Sequence, residues 1–232
     1  MRLRSVVIIV LVLLTAIFIL FEFYGYNAFF QPISIQKTDP VMEDLANSGE
    51  LDLKINGAHI TAQDVNREYD KLTDNARMNA TKGQVLESMV TRLLLLQEAD
   101  SKGIRSNEND VDAYLATLSG KNESVPDQQP AAAGSTLEEY RNNIKDFLTI
   151  NKLLVQELNL TYVQITYSEV NNLIEKNKDD YQDIFNERNP QLEDMLRSRI
   201  KQRLMLEKQQ MIVEKYVVSL REKAQIAVGG GI

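Results

Sequence analysis

The sequence predicts an all-α, mainly helical module with a small N-terminal β-hairpin, set behind an N-terminal transmembrane helix. Three observations predict it. Ser/Thr-x-x-acid pairs recur ahead of apolar runs, as helix starts require. One alternating stretch is broken by Asn56-Gly57, the signature of a two-residue hairpin turn. An uninterrupted apolar run follows two arginines at the start of the chain.

Residues 1–30, "MRLRSVVIIVLVLLTAIFILFEFYGYNAFF", place Arg2 and Arg4 ahead of an apolar segment over about 5–24, followed by Tyr26, Phe29 and Phe30. At about 1.5 Å per residue this segment crosses most of a hydrocarbon core of roughly 30 Å, and the aromatic residues suit an interfacial belt. No A-x-A-like small-residue site follows it, which favours an uncleaved signal-anchor over a cleaved signal peptide. With Arg2 and Arg4 held inside, the expectation is a single-pass cell-membrane protein, its N-terminus cytoplasmic and its domain extracytoplasmic. The sequons at Asn79, Asn122 and Asn159 agree with an outside location but weigh little in a chain this rich in Asn.

Residues 31–50, "QPISIQKTDPVMEDLANSGE", have no sustained period and contain Pro32, Pro40 and Gly49, so they read as a spacer. The helical domain then runs over 51–228. It opens on the hairpin "LDLKINGAHIT". Thr61 with Asp64, Ser135 with Glu138, Thr136 with Glu139, and Thr166 with Glu169 mark helix starts near 62, 136 and 167. The stretch 85–104, "VLESMVTRLLLLQEADSKGI", is a helix ending at a left-handed Gly103, with Ser106 opening the next helix through about Leu118. Residues 119–135 are polar and broken by Pro126 and Pro130, a long loop. Leu192, Leu196, Ile200, Leu204, Ile212, Tyr216 and Leu220 fall four or eight apart and define a long crossing helix over about 191–224. Ile226 and Val228 alternate before a glycine tail, which suits a short strand beside Lys54 to Ile60.

Composition removes several function classes. The net charge is −7, with basic and acidic residues intermixed throughout, so nucleic acid is not an expected partner. The chain has no cysteine and one histidine, which excludes thiolate chemistry and multi-histidine metal sites. His59 with Asp52 or Asp64 resembles a base and its orienter, yet a histidine on the exposed side of a hairpin strand is the simpler reading. The acidic clusters lack the spacing of a calcium loop. No catalytic residue, metal or cofactor is expected, and the chain is not read as an enzyme.

The segments "INGAHITAQDVNREYDKL", "VLESMVTRLLLLQEADSKGIRSNENDVDAYLATL", "STLEEYRNNIKDFLTINKLLVQEL" and "VQITYSEVNNLIEKNKDDY" resemble the N-terminal chaperone module of the SurA-like family, shared in outline with the PpiD and PrsA foldases. The likeness extends over roughly 52–226 and is most specific from Glu87 to Ile104. It implies an ATP-independent chaperone that holds unfolded or newly translocated polypeptides, with a long last helix packed back across the first helices. Where full-length relatives insert parvulin-type isomerase domains, this chain has only "YQDIFNERNPQ", so isomerase activity is not expected.

Leu86, Met89, Val90, Leu93, Leu94 and Leu96 cover more than one helical face, and the second face needs a cover. A client chain is the expected cover, on a surface formed by Met89, Leu93, Leu96, Tyr114, Leu118, Phe147 and Leu153. The expected partners are therefore unfolded or nascent polypeptides and, through the N-terminal helix, the lipid bilayer. Two other readings stay open: a membrane-tethered adaptor that docks one specific complex or a second copy of itself as a homodimer, and a divergent peptidyl-prolyl isomerase. Four-residue spacing in the long helix, rather than sustained heptads, favours packing within the chain.

Overall fold

The computed structural model describes residues 40–72, 74–119, 136–187 and 189–229. The expected anchor over about 5–24 and the loop beyond Ser119 lie outside these residues. Among the described residues no helix is long and apolar enough to cross a membrane.

The described residues open with α1 (Pro40–Asn47) and the hairpin β1 (Asp52–Ile55) and β2 (Ala58–Thr61). Helices α2 (Ala62–Asp70), α3 (Asp74–Arg77), α4 (Lys82–Ser101), α5 (Glu108–Ser119) and α6 (Leu137–Leu158) follow. A 3-10 turn (Leu160–Tyr162) leads to α7 (Tyr167–Lys176), α8 (Lys178–Asn186), the long α9 (Pro190–Lys223) and finally β3 (Ile226–Val228). The mainly helical expectation holds, with one antiparallel sheet in the order β2-β1-β3. Asn56 and Gly57 take φ of 48° and 93°, the left-handed values that a two-residue hairpin turn needs. The Asn56 side chain donates to Gln97 Oε1 (2.8 Å) and accepts from the Gln225 N–H (2.8 Å), while Gln97 Nε2 donates to the Ile55 carbonyl (3.1 Å). Turn, α4 and chain end are thus tied at one point.

Reciprocal capping boxes open α2 at Thr61/Asp64, α4 at Thr81/Gln84, α6 at Thr136/Glu139 and α7 at Thr166/Glu169. At α5 the box is Asn107/Asp110, one residue beyond the expected Ser106. Ser106 is buried instead, its backbone N–H donating to Thr149 Oγ1 (3.0 Å). Helix α4 ends at Gly103 (φ 69°), where the Ile104 N–H reaches the Ala99 carbonyl and the Gly103 N–H that of Asp100.

Helix α4 is the axis of the main core. Its Leu86, Val90, Leu94, Leu95 and Ala99 pack with Leu53, Ile55, Val65, Leu153, Val217 and Leu220. Within the expected spacer over 31–50, Pro40–Asn47 is a helix packed on this core, and 31–39 lie outside the described residues. Ala46 is buried, with Met42 and Leu45 packed beside it. Glu43 accepts from Thr81 Oγ1 (2.6 Å) and the Gly83 N–H (3.1 Å), seating α1 at the start of α4. The Thr81 hydroxyl is the main reason the Glu43 carboxyl lies below the usual glutamate range.

A second, smaller cluster joins Ile165, Val170, Ile174 and Ile200, flanked by Tyr181, Phe185, Leu196 and Leu204. Helix α9 has 34 residues, about 51 Å of helix. Its first half carries the small cluster and its second half closes the main core.

Candidate functional site

The apolar girth of α4 is covered by the chain itself. Helices α1, α2, α6 and α9 all pack on it. Met89, Leu93 and Leu96, expected to await a client, are half-buried against the main core. Leu153 is completely buried and Phe147 is 7% exposed, so both are corrected from client surface to core. The reason lies on α6, where Ile150 and Leu153 face the main core and Phe147 faces α5. There Tyr114 stacks on Phe147 with ring centroids 5.7 Å apart at 52°. Burial, with the nearby Tyr140 adding to it, pushes the Tyr114 phenol up to about 12. Leu118 lies on α5, and its side chain is outside the described set. The structure therefore brings Tyr114 and Phe147 together but does not gather the seven expected residues on one open surface.

Leu96 of that set lines a shallow pocket of about 210 Å3 between α4 and α6 with Ile104, Ser106 and Thr149. Its rim is charged. Arg105 pairs with Asp100, and Arg92 donates to Asp146 (2.6 Å) and Asn143 (2.8 Å). Behind α4 a buried Glu87 pairs with Arg221 of α9, which also donates to Thr91 Oγ1 (3.4 Å). That pair fixes the long helix on the core.

The open apolar surface lies on α9. Spacings of eleven, seven, four and three residues put Met195, Leu206, Val213, Val217 and Leu220 along one stripe. Val213, Val217 and Leu220 pack into the main core. Met195 and Leu206 lie on the same face past it at 54% and 43% exposure, with Arg199 and Gln202 between them. Alongside, Gln209 Nε2 donates to the Leu160 carbonyl (3.0 Å) and Lys208 Nζ to that of Gln164 (3.2 Å), holding the 3-10 turn against the helix. Exposed Tyr162 sits on that turn, and exposed Val155 on the α6 turn that precedes it. Tyr167 is exposed too, with the Arg197 guanidinium 5.4 Å from its ring centre. Leu206 escapes a sequence reading because the four-residue stripe through Ile200 and Leu204 masks the eleven-residue step to Met195.

His59 Nδ1 lies 2.7 Å from Asp52 Oδ1, with both side chains about half exposed. Among the described residues no group of three or more His, Asp or Glu is placed to hold a metal ion.

Comparison with known proteins gives two findings. A family model of the SurA-like N-terminal domain matches residues 1–154. Among curated proteins, the Chaperone SurA of Thiobacillus denitrificans (strain ATCC 25259 / T1) is 29% identical over 122 residues, covering 48% of this chain. The match covers 28% of that relative's length. The family match ends inside α6, so α7, α8, α9 and β3 lie beyond it.

Proposed function

The chain belongs to the SurA-like N-terminal domain family, and from that premise we propose that it is an ATP-independent holdase tethered to the cell membrane. It acts on the extracytoplasmic side and binds exposed apolar segments of unfolded or newly translocated polypeptides. The observation that carries the reading is the α9 face that closes the main core through Val213, Val217 and Leu220 and beyond it leaves Leu206 and Met195 exposed, set apart by Arg199 and Gln202. A client contact of a few hundred Å2 on such a stripe gains roughly 25 cal/mol per Å2, much of it offset by ordering both partners. Weak and reversible binding follows, and no nucleotide is needed to release it.

The tether rests on the apolar residues 5–24 and on Arg2 and Arg4 ahead of them. Prolyl isomerisation is not part of the proposal. Helix α8 ends at Asn186 and α9 begins at Pro190, which leaves no insertion between them.

Suppression of the aggregation of a chemically unfolded protein tests the reading directly. The parent chain is expected to suppress it in proportion to concentration, and Met195→Ser/Leu206→Ser to lose most of the effect while keeping its helical circular dichroism. No suppression by the parent, across several unrelated clients, would reject the holdase in favour of an adaptor for one dedicated complex.

A further inference from the structure

β3 is one of the two outer strands of the sheet, and among the described residues no strand pairs with its free side. Its register sets Leu53 opposite Val228, Lys54 opposite Ala227 and Ile55 opposite Ile226. The Asn56 N–H donates to the Gln225 carbonyl (3.0 Å) and the Gly229 N–H to that of Asp52 (2.7 Å). Bonded partners alternate every second residue in antiparallel pairing, so Gln225, Ala227 and Gly229 turn their backbone groups towards β1. Ile226 and Val228 turn their N–H and carbonyl groups outward.

The side chains obey the same alternation. Directly opposed residues share a face of the sheet, so Ile226 and Val228 stand on the side of Ile55 and Leu53. That side is the core side, where Ile55 and Leu53 are 0% and 1% exposed. Ile226 and Val228 are nevertheless 41% and 52% exposed. Edge strands are usually guarded by a lysine, a proline, a bulge or an inward charge. Ile226-Ala227-Val228 carries none of these, and its shortness, three residues, is the one guard it has.

We propose that the outer edge of β3 accepts an extended, uncharged apolar segment of an unfolded polypeptide as a fourth strand. Its backbone bonds to Ile226 and Val228, and its apolar side chains lie beside theirs. The proposal rests on the holdase reading and gives it a binding mode. The size of the edge selects the occupant: a second copy paired through this short strand falls far below the roughly 1,000 Å2 of a stable interface. An unfolded chain needs only a weak hold and engages the α9 stripe at the same time. Backbone pairing also makes little demand on client sequence.

The test uses the full chain and a short synthetic peptide of alternating valine and threonine. A second peptide is N-methylated at every other residue, which blocks one backbone edge and keeps the side chains. Val228→Pro removes an outward N–H and spares the bonds to β1. Binding by fluorescence anisotropy is expected to weaken about tenfold with either change, the equivalent of one or two hydrogen bonds. The Ile226 and Val228 amides of the parent are expected to gain exchange protection on binding. Equal binding of both peptides by parent and Val228→Pro would overturn the edge and leave the holdase reading standing. A parent that neither binds the peptide nor suppresses aggregation would overturn both. A concentration-dependent dimer abolished by Val228→Pro would give the edge to a second copy and reject the client.

Discussion

At the scale of single residues, burial decides what a side chain is for. Leu153 looks like a surface anchor in the sequence because its helical period shows an apolar face without showing what covers it. It is fully buried, so Leu153→Ala is expected to lower unfolding stability by about 3 kcal/mol, read from the urea midpoint. Leu93→Asp acts the same way: Leu93 packs on the core, so loss of client binding in that variant would report lost stability. Glu87 makes a sharper case, 5% exposed and paired with Arg221. Arg221→Met strands a carboxylate in an apolar core and is expected to cost about 3 kcal/mol. Replacing both, as Glu87→Leu/Arg221→Met, should recover most of it. Equal urea midpoints for Arg221→Met and the parent would show that the pair contributes nothing.

Elements announce themselves in the sequence where their ends carry chemistry. Thr61, Thr136 and Thr166 fall three residues before an acid, and the helices begin within a residue of the positions expected from them. The boxes at Thr81/Gln84 and Asn107/Asp110 were less legible because an amide replaces the acid in one and an asparagine the hydroxyl in the other. Helix α1 was missed for a different reason. Met42, Leu45 and Ala46 fall at i, i+3 and i+4, but two turns that also hold Pro40 and Val41 are too short for that spacing to stand out, and a helix this short gains its stability from the surface that α4 offers it. The box at α7 also makes a pH prediction. The Lys208 ammonium first, then the Thr166 backbone N–H and hydroxyl, hold the Glu169 carboxyl at about 2. A folded value below the unfolded one means the contribution is full above the ordinary glutamate range and is lost as pH falls towards 2. The Glu169 carboxyl resonance should titrate near 2 in the parent and move up in Lys208→Met. An unmoved resonance would remove Lys208 as the cause.

For the whole molecule, the long helix was legible as an element but not in its role. A length beyond the width of the domain shows that α9 crosses or overhangs the core, and it does both, because its apolar face changes sides along its length. Leu196, Ile200 and Leu204 serve the small cluster, whereas Val213, Val217 and Leu220 serve the main one. A four-residue period looks the same on either side of such a change. The energetic consequence is unequal halves. The small cluster has four buried residues, Ile165, Val170, Ile174 and Ile200, too few to stand alone, whereas the main one draws on the sheet and five helices. Amide exchange should therefore show α7, α8 and the first half of α9 opening at a lower free energy than α4 and α6. Ile200→Ala should lower it further and leave α4 unchanged. Opening of the small cluster bares Leu196, Ile200 and Leu204 on the side of α9 opposite the already exposed Leu206, so Ile200→Ala should also hold clients more tightly at equal main-core stability. A single opening free energy shared by α4 and α7 would mean one cooperative unit, with the uncovered stripe limited to what the closed molecule presents.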